Sequence, residues 1–302
     1  MSTIRGHFAR SGLLLLIALI GLLLAACSAA GPASGLQVVA STEILGDVAA
    51  EIAGEHIQIT VLIPPATDPH AFEPSAQDAA RLETADLILV NGLDLEEPLL
   101  PLLRAAGDRV VSASDGIETL QGRENEGGVD PHVWMNPLNV KIWAGNIAQA
   151  LSSLDPDHAS SYRANADAYI SELDALDAWA IEQIGQIPIE QRVLVTDHET
   201  FGYFADHYGF EIVGALIPSY STISEPSAGE LAALEEAIRR YEVKAIFVGA
   251  NMNTTLAERV AADTGILLIP LYTESFSAAV GPAATYLDLI RYDVNAIVAA
   301  LK

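Results

Sequence analysis

Cysteine and basic residues are scarce in this chain of 302 residues. Cys27 is the only cysteine, so no disulfide can form within the chain and its core must stabilise the fold. Fifteen lysines and arginines stand against 40 aspartates and glutamates, which gives a net charge of −25 and makes nucleic acid a poor partner. Aromatic residues make up only 6% of the chain, but apolar residues as a whole reach 51%, enough for a sizeable core.

The longest uncharged apolar run lies near the N-terminus. Arg5 and Arg10 precede "LLLLIALIGLLLAAC", the layout of a secretory signal peptide. The run is shorter than the roughly 20 apolar residues that span a membrane comfortably. It ends in Leu24-Ala25-Ala26-Cys27, which resembles a bacterial lipobox, in which cleavage leaves a lipidated cysteine as the new N-terminus. We therefore expect a signal peptide over 1–26 and a lipidated Cys27 with a flexible tether over 27–35. Because 1–26 holds two arginines and no acid, the mature charge becomes −27.

Strand and helix patterns alternate along the rest of the chain. Helical patterns separate four strand-like runs in the first half: "QVVAS", "IQITVLI", "DLILV" and "RVVS". The same alternation occurs in the second half, with the strand-like runs "RVLVT", "FEIVGAL", "KAIFVGA" and "ILLIP". Strands that alternate with helices predict parallel sheets and an α/β fold. The two sets of strands predict an N-terminal lobe over 36–155 and a C-terminal lobe over 186–302.

A long helical pattern separates these two halves. No proline or glycine interrupts 157–184, and larger or apolar side chains recur there at steps of three and four. Roughly 28 residues at 1.5 Å each give a rod of about 40 Å, the width of a domain. Such a helix, over 156–185, is either an ordinary amphipathic core helix or a spine that joins two lobes.

The starts of other helices are also predicted. Ser227 and Glu230 form a capping-box pattern, and helices are predicted to begin at Ser75 and Glu96. The closing helix is predicted from Pro282 to Leu301.

Three of the seven histidines occupy similar positions in the predicted fold. His70 and His132 each end an Asp-Pro-His triplet, and His198 follows the strand "RVLVT". Ligands in open α/β sheets bind beyond the carboxyl ends of strands, and the prolines restrict the backbone beside the first two rings. We interpret the triplets as rigid mounts for imidazoles that meet in space, on loops outside the core. The other histidines of the mature chain are interpreted as surface residues: His56, His158 and His207.

A carboxylate is needed to complete a four-ligand site around these histidines. Glu274, in "LIPLYTESF", stands past a strand end, whereas Asp197 and Glu199 are rivals because they neighbour His198. Three imidazoles and one carboxylate suit Zn²⁺, while Mn²⁺ prefers more oxygen ligands and binds such sites more weakly. The remaining acids beside the histidines are candidates to orient or screen the rings: Asp68 and Asp130, with Asp197 and Glu199 if they do not ligate.

Six stretches together resemble the zinc/manganese-binding solute-binding lipoproteins of bacterial ABC transporters (solute-binding protein family 9). They are "LIPPATDPHAFEPS", "DPHVWMNP", "VTDHETFGYFADHYGF", "SEPSAGELAALEEAI", "LYTESF" and "TYLDLIRYDVNAIVAAL", and the resemblance covers nearly all of 36–302. It implies two α/β lobes bridged by one rigid helix, with the metal in the cleft between them. Residue by residue, it implies that His70, His132 and His198 are metal ligands.

The chain departs from that family pattern in two places. Glu274 stands where the family usually has aspartate, so its extra methylene must be absorbed locally, and we expect Glu274→Asp to bind metal comparably or better. The family's zinc members often carry a histidine-rich acidic loop before the second histidine motif, but "GIETLQGRENEGGVD" contains no histidine. This absence weakens a purely zinc assignment, whereas a histidine rather than a glutamate as third ligand favours zinc.

The resemblance implies a binding protein rather than an enzyme. We expect a monomer, held outside the cytoplasm by its lipid anchor, that captures Zn²⁺ or Mn²⁺ and delivers it to a membrane permease with its ATPase. One alternative is an exported zinc-dependent hydrolase, since three histidines with an open fourth position can activate water. The sequence has no His-Glu-x-x-His or Gly-x-Ser-x-Gly motif for such a role. The other alternative is a binding protein for an organic metal chelate, which should show more aromatic or arginine residues in its loops.

Overall fold

Two four-stranded parallel sheets organise the chain, in a computed structural model that describes residues 35–121, 128–250 and 252–302. The predicted signal peptide, Cys27 and nearly all of the tether lie outside the described residues. The first sheet has the order β2-β1-β3-β4, with β1 Val38–Ala40, β2 Ile59–Val61, β3 Leu87–Val90 and β4 Val110–Ser112. The second has the order β6-β5-β7-β8, with β5 Val193–Thr196, β6 Glu211–Ala215, β7 Ala245–Gly249 and β8 Leu267–Leu271. The predicted α/β fold with parallel sheets is confirmed.

Helices connect the strands and cover the sheets. They are α1 Glu43–Ala53, α2 Ala76–Thr84, α3 Leu100–Ala106, α4 Pro137–Leu154, α5 Ala159–Ile184, α6 Gly202–Tyr208, α7 Ala228–Arg240, α8 Thr255–Thr264 and α9 Tyr286–Leu301. Short 3₁₀ turns occur at Glu97–Leu99, Gly107–Arg109, Val133–Met135, Pro156–His158 and Ile189–Gln191. None of the helices in the described ranges is long and apolar enough to cross a membrane.

Hydrogen bonds of side chains decide where several helices begin. The capping box predicted at Ser227 and Glu230 is present, and Ser75 forms a second one with Asp78. The closing helix begins at Tyr286 rather than at the predicted Pro282, because the Thr285 hydroxyl accepts the hydrogen bond that caps it. Similarly, the Glu96 side chain is buried against the preceding loop, and the chain makes a 3₁₀ turn before α3 begins.

The long helix α5 contacts both halves of the fold. Its 26 residues span about 39 Å, and it packs against α4 and α1 from the first half and α9 from the second. Its buried face matches the predicted pattern, with Tyr162, Ala166, Tyr169, Leu173, Leu176, Ala180 and Ile184. One hydrophobic cluster accordingly runs through α1, α4, α5 and α9, while two smaller clusters cover the opposite faces of the two sheets. Parallel sheets are usually buried on both faces in this way.

Candidate metal centre

Loops at the carboxyl ends of the strands bring four side chains of the predicted site together. His70, His132, His198 and Glu274 each offer one ligand atom, and these atoms lie within 4.8 Å of one another. His132 and His198 have no exposed surface, while Glu274 is 4% exposed and His70 9% exposed. The expectation that these loops leave their side chains outside the core is therefore wrong. Packing around the two sheet ends encloses the group.

The distances within the group match the size of a tetrahedral metal site. The Nε2 atoms of His70 and His132 are 3.2 Å apart. Glu274 Oε1 lies 3.4 Å from Nε2 of His70, 3.3 Å from Nε2 of His198 and 3.9 Å from Nε2 of His132. Four ligands about 2.0 Å from a zinc ion would be separated by about 3.3 Å along each tetrahedral edge. The residues present therefore fit such an ion with small adjustments.

Each Asp-Pro-His triplet forms a turn that the aspartate closes. Asp68 Oδ1 accepts a hydrogen bond from the backbone N–H of His70 at 2.8 Å, and Asp130 Oδ1 accepts one from His132 N–H at 2.9 Å. Aspartate side chains commonly bond the backbone two residues ahead in this way, and the proline between them has a fixed φ. The backbone of each triplet is thus fixed by its own aspartate and proline.

Two of the proposed orienting carboxylates also contact an imidazole ring. Asp130 Oδ1 accepts from His132 Nδ1 at 2.8 Å, and Asp197 Oδ1 accepts from His198 Nδ1 at 3.0 Å. A proton held on Nδ1 leaves Nε2 free to bind a metal, an arrangement common around metal-bound histidines. Asp68 accepts a hydrogen bond from the backbone N–H of His70 with one oxygen and from the Thr222 hydroxyl with the other. Glu199 is buried, and it is not part of the four-residue group.

The protonation of the group follows from its burial and its neighbours. Burial lowers the pKa of His132, although Asp130 acts in the opposite direction. Burial also acts to lower the pKa of His198, but Asp197 and Glu274 beside it raise that pKa to about 10. For Glu274, burial acts to raise the pKa, but the His198 and His70 imidazoles hold it well below its usual range. The carboxylate is therefore ionised at neutral pH.

The Glu274 carboxylate is short of hydrogen-bond donors. Among the described residues, no hydrogen bond of ordinary geometry reaches either of its buried oxygens. Buried polar groups normally have such partners, and the groups that offset the charge here are the imidazoles of His70 and His198, whose Nε2 atoms lie 3.4 and 3.3 Å from Oε1. An ionised carboxylate enclosed with three imidazoles is a donor set suited to a divalent cation. This chemistry agrees with the fit of the distances.

Several side chains that support the site were not found from the sequence. The Tyr203 hydroxyl donates to the Asp130 carbonyl at 3.0 Å. The Thr200 hydroxyl lies 2.6 Å from His198 Nε2, so it must give up this contact when Nε2 binds a metal. Gly202, at the start of α6, is so close to Asp130 that a Cβ there would collide with Asp130 Oδ2. Their only signal in the sequence is that they follow His198 closely.

The remaining histidines of the described chain are partly enclosed by neighbouring side chains. His56 stacks on His158 with ring centroids 4.0 Å apart, and His158 Nδ1 lies 2.7 Å from Asp155 Oδ2. His207 Nε2 lies 2.7 Å from Asp177 Oδ1. All three are partly exposed, so they reach the surface as predicted, but each also contacts a neighbouring side chain. None of them belongs to the four-residue group.

Three histidines and a carboxylate enclosed at the ends of two parallel sheets define a metal-binding protein. The family described as "ZnuA: Zinc-uptake complex component A periplasmic" matches residues 38–300. The chain belongs to this family, which confirms the resemblance seen in the sequence. Its relatives are substrate-binding proteins of ABC transporters, so the prediction that it is not an enzyme is also confirmed.

Relatives and solved structures match over most of their length. The manganese-binding lipoprotein MntA of Halalkalibacterium halodurans is 34% identical over 293 residues, which cover 95% of this chain and 97% of the relative. The metal ABC transporter substrate-binding lipoprotein SsaB of Streptococcus sanguinis is 32% identical, with 95% and 97% covered. The structure of the periplasmic zinc-binding protein TroA of Treponema pallidum matches with a TM-score of 0.83 and 30% identity, over 89% of this chain and 99% of TroA.

Proposed function

We propose that this protein captures a divalent transition metal ion outside the cytoplasm and delivers it to the permease of an ABC transporter. The observation that carries the proposal is the buried group of three imidazoles and one carboxylate, whose atoms have the spacing of a tetrahedral site. In this proposal the metal is the transported substrate. Nε2 of His70, His132 and His198 and one oxygen of Glu274 bind it.

The neighbouring carboxylates have supporting roles in this proposal. Asp130 and Asp197 hold the rings of His132 and His198 so that Nε2 faces the ion, and Asp68 fixes the turn of His70. Glu274 supplies the negative charge that offsets part of the charge of the ion. Because Glu274 Oε1 lies within 3.9 Å of all three Nε2 atoms, it takes the fourth position that a hydrolytic water would need. This favours binding over hydrolysis.

Zinc is the ion that we expect to bind most tightly. The nitrogen-rich, closely spaced donors suit Zn²⁺, and divalent manganese binds nearly any such site more weakly than zinc does. The names of relatives that bind manganese make Mn²⁺ the second candidate for the ion carried in the cell. Both readings share the same four ligands and differ in which ion is available.

The anchor and partners follow from the same proposal. Lipidated Cys27 would hold the mature protein, as a monomer, at the outer face of the membrane near the permease and its ATPase. We propose an N-terminal lobe over 36–155, a linking helix over 156–185 and a C-terminal lobe over 186–302. The long helix, with contacts to helices of both halves, supports this division.

Metal analysis and competitive titration test the proposal. Protein purified without chelator should contain about one zinc or manganese ion, and Zn²⁺ should displace Mn²⁺. His70→Ala, His132→Ala and His198→Ala should each weaken Zn²⁺ binding by orders of magnitude, whereas His207→Ala serves as a control because it lies outside the group. Zn²⁺ should also raise the melting temperature, because it binds only the folded state. Wild-type protein that binds neither ion would overturn the function.

A further inference from the structure

The turn that carries Glu274 is held by side chains from three different elements. This turn, Tyr272–Phe276, follows β8. Its backbone makes three hydrogen bonds: Tyr272 N–H to Asp293 Oδ1 at 2.9 Å, the Trp134 indole N–H to Thr273 C=O at 2.7 Å, and Phe276 N–H to Glu43 Oε2 at 3.0 Å. The residues on both sides of Glu274 are thus fixed through their peptide groups.

Two of these three contacts come from the other half of the molecule. Glu43 is the first residue of α1 and lies 233 positions before Phe276, and Trp134 lies 139 positions before Thr273. The same half of the chain supplies His70 and His132. The position of the Glu274 turn is therefore set relative to the half that carries those two histidines, although the turn itself belongs to the second sheet.

Trp134 connects a histidine and the carboxylate most directly. It is two residues after His132, and the two ring centroids are 5.3 Å apart. Its side chain is 3% exposed, and its own carbonyl accepts a hydrogen bond from the Tyr286 hydroxyl at 2.7 Å. Burial of the ring and this backbone contact restrict the indole to its position beside Thr273. The Trp134 side chain, with its hydrogen bond to Thr273, thus connects the turn of His132 to the turn of Glu274. We call this connection the strut.

We propose that Trp134 and Glu43 are positioning residues that hold the Glu274 carboxylate at binding distance from the histidines. This inference rests on the proposed metal-binding function and adds two residues that do not touch the metal. Metal sites need their ligands held within about 0.5 Å by surrounding contacts. Without the strut, the turn can move with the second sheet, and the carboxylate moves with it.

A pair of tryptophan variants tests the strut. Trp134→Phe removes the indole N–H and part of the buried ring. Trp143→Phe is the matched control, because Trp143 is also buried and its ring lies beside that of Trp134, with centroids 6.4 Å apart, but its indole donates to Ser114 Oγ at 3.1 Å instead of to the Glu274 turn. It therefore disturbs the packing around Trp134 without removing the hydrogen bond to Thr273. In competitive titration against a zinc chelator, Trp134→Phe should weaken binding by about 10- to 100-fold, the usual effect of losing a contact that supports a metal ligand. Trp143→Phe should bind like wild type, although both variants melt at a lower temperature.

A second pair separates positioning from a general loss of stability. Glu43→Gln keeps an oxygen that can accept from Phe276 N–H, whereas Glu43→Ala removes it. Glu43→Ala should weaken zinc binding, and Glu43→Gln should restore most of it. If Trp134→Phe does not fold, this pair alone decides. The proposal is overturned if Trp134→Phe or Glu43→Ala binds zinc like wild type, or if Trp143→Phe loses as much affinity. Absence of zinc binding in wild-type protein would instead refute the proposed function.

Discussion

Thr222 donates a hydrogen bond to Asp68 across 154 positions of the sequence. The other oxygen of Asp68 holds the backbone of His70 at 2.8 Å. His70 is the most exposed of the four grouped side chains, and it lines a cavity of about 480 Å³ together with Pro218–Ser221 and other residues. The bond therefore joins the segment before His70 to the segment after Ser221, two segments that line the cavity, beside the most exposed histidine of the group.

Removing this bond should speed the release of metal. Thr222→Val keeps the shape of the side chain but loses the hydroxyl. A hydrogen bond to a charged group contributes about 1.5–3 kcal/mol, so release should accelerate by about tenfold or more. Stopped-flow transfer of Zn²⁺ to a chelator measures the rate, and Thr222→Ser, which keeps the donor, should behave like wild type. Equal release rates for the valine variant and the wild type would refute this role.

Shortening or neutralising Glu274 should weaken metal binding for two different reasons. Glu274→Gln keeps the length but loses the charge that offsets the ion. Glu274→Asp keeps the charge but withdraws the carboxylate by about 1.5 Å, one C–C bond. Because the backbone on both sides of Glu274 is held, the turn cannot easily follow. Isothermal titration with Zn²⁺ should therefore show weaker binding for both variants.

This expectation for the aspartate variant reverses the one drawn from the sequence, where restoring the family residue was expected to preserve affinity. The combination of Glu274→Asp with Glu43→Ala offers a control. If the held backbone is the cause, freeing it should recover part of the affinity lost by the aspartate variant. Wild-type affinity in Glu274→Asp alone would show that the turn adapts.

Metal binding should move the two halves only slightly. Helix α5 contains no glycine or proline, so it has no built-in hinge. Hydrogen bonds also join the halves beside the site, from Trp134 to Thr273 and from Tyr203 to Asp130. Small-angle scattering profiles of metal-free and zinc-bound protein should nearly coincide. A clear decrease in the radius of gyration on adding zinc would contradict a rigid frame.

Asp47 should destabilise the protein at neutral pH. Burial raises its pKa from 3.8 to about 6, although the Tyr286 N–H that it accepts acts in the opposite direction. The folded state holds the proton more tightly, so this stabilisation is fully present below about pH 4 and is lost as pH rises through 6. Asp47→Asn should therefore raise the free energy of unfolding by about 1–2 kcal/mol at pH 7.5 and change it little at pH 4.

Thermal melting of metal-free protein at both pH values measures this difference. Glu55→Gln is a suitable control, because Glu55 is an exposed acid just after the same helix. It removes the same charge without changing a buried group. A gain for Asp47→Asn that is equal at both pH values, or matched by the control, would exclude the buried carboxyl as the cause.

Cys27 should carry the lipid anchor. Replacing it with alanine removes the thiol that would be lipidated, so Cys27→Ala should leave the precursor uncleaved or release the protein from the membrane. Fractionation of cells and mass spectrometry of the mature N-terminus measure both outcomes. A native mature protein that begins at another residue, without lipid, would rule out this anchor.

The local features of the protein could be predicted from its sequence. Alternation of strand and helix patterns indicated two parallel sheets, because hydrophobic periodicity depends only on neighbouring residues. The buried face of α5 and the capping box at Ser227 followed from the same kind of local signal. The three histidines of the candidate site were also predicted from their loop positions, because parallel sheets gather ligands at the carboxyl ends of strands. Glu274 was predicted as the carboxylate, with Asp197 and Glu199 as rivals.

Only the tertiary structure decided what surrounds those four side chains. The contacts from Trp134 to Thr273, Glu43 to Phe276 and Thr222 to Asp68 join residues 139, 233 and 154 positions apart. No periodic pattern encodes such pairs, because each depends on where two distant backbones pass one another after the sheets have packed. The same packing enclosed His132 and His198 completely, although their loops were expected outside the core. The sequence thus determined which side chains meet, and the packing of the two halves determined how they are held.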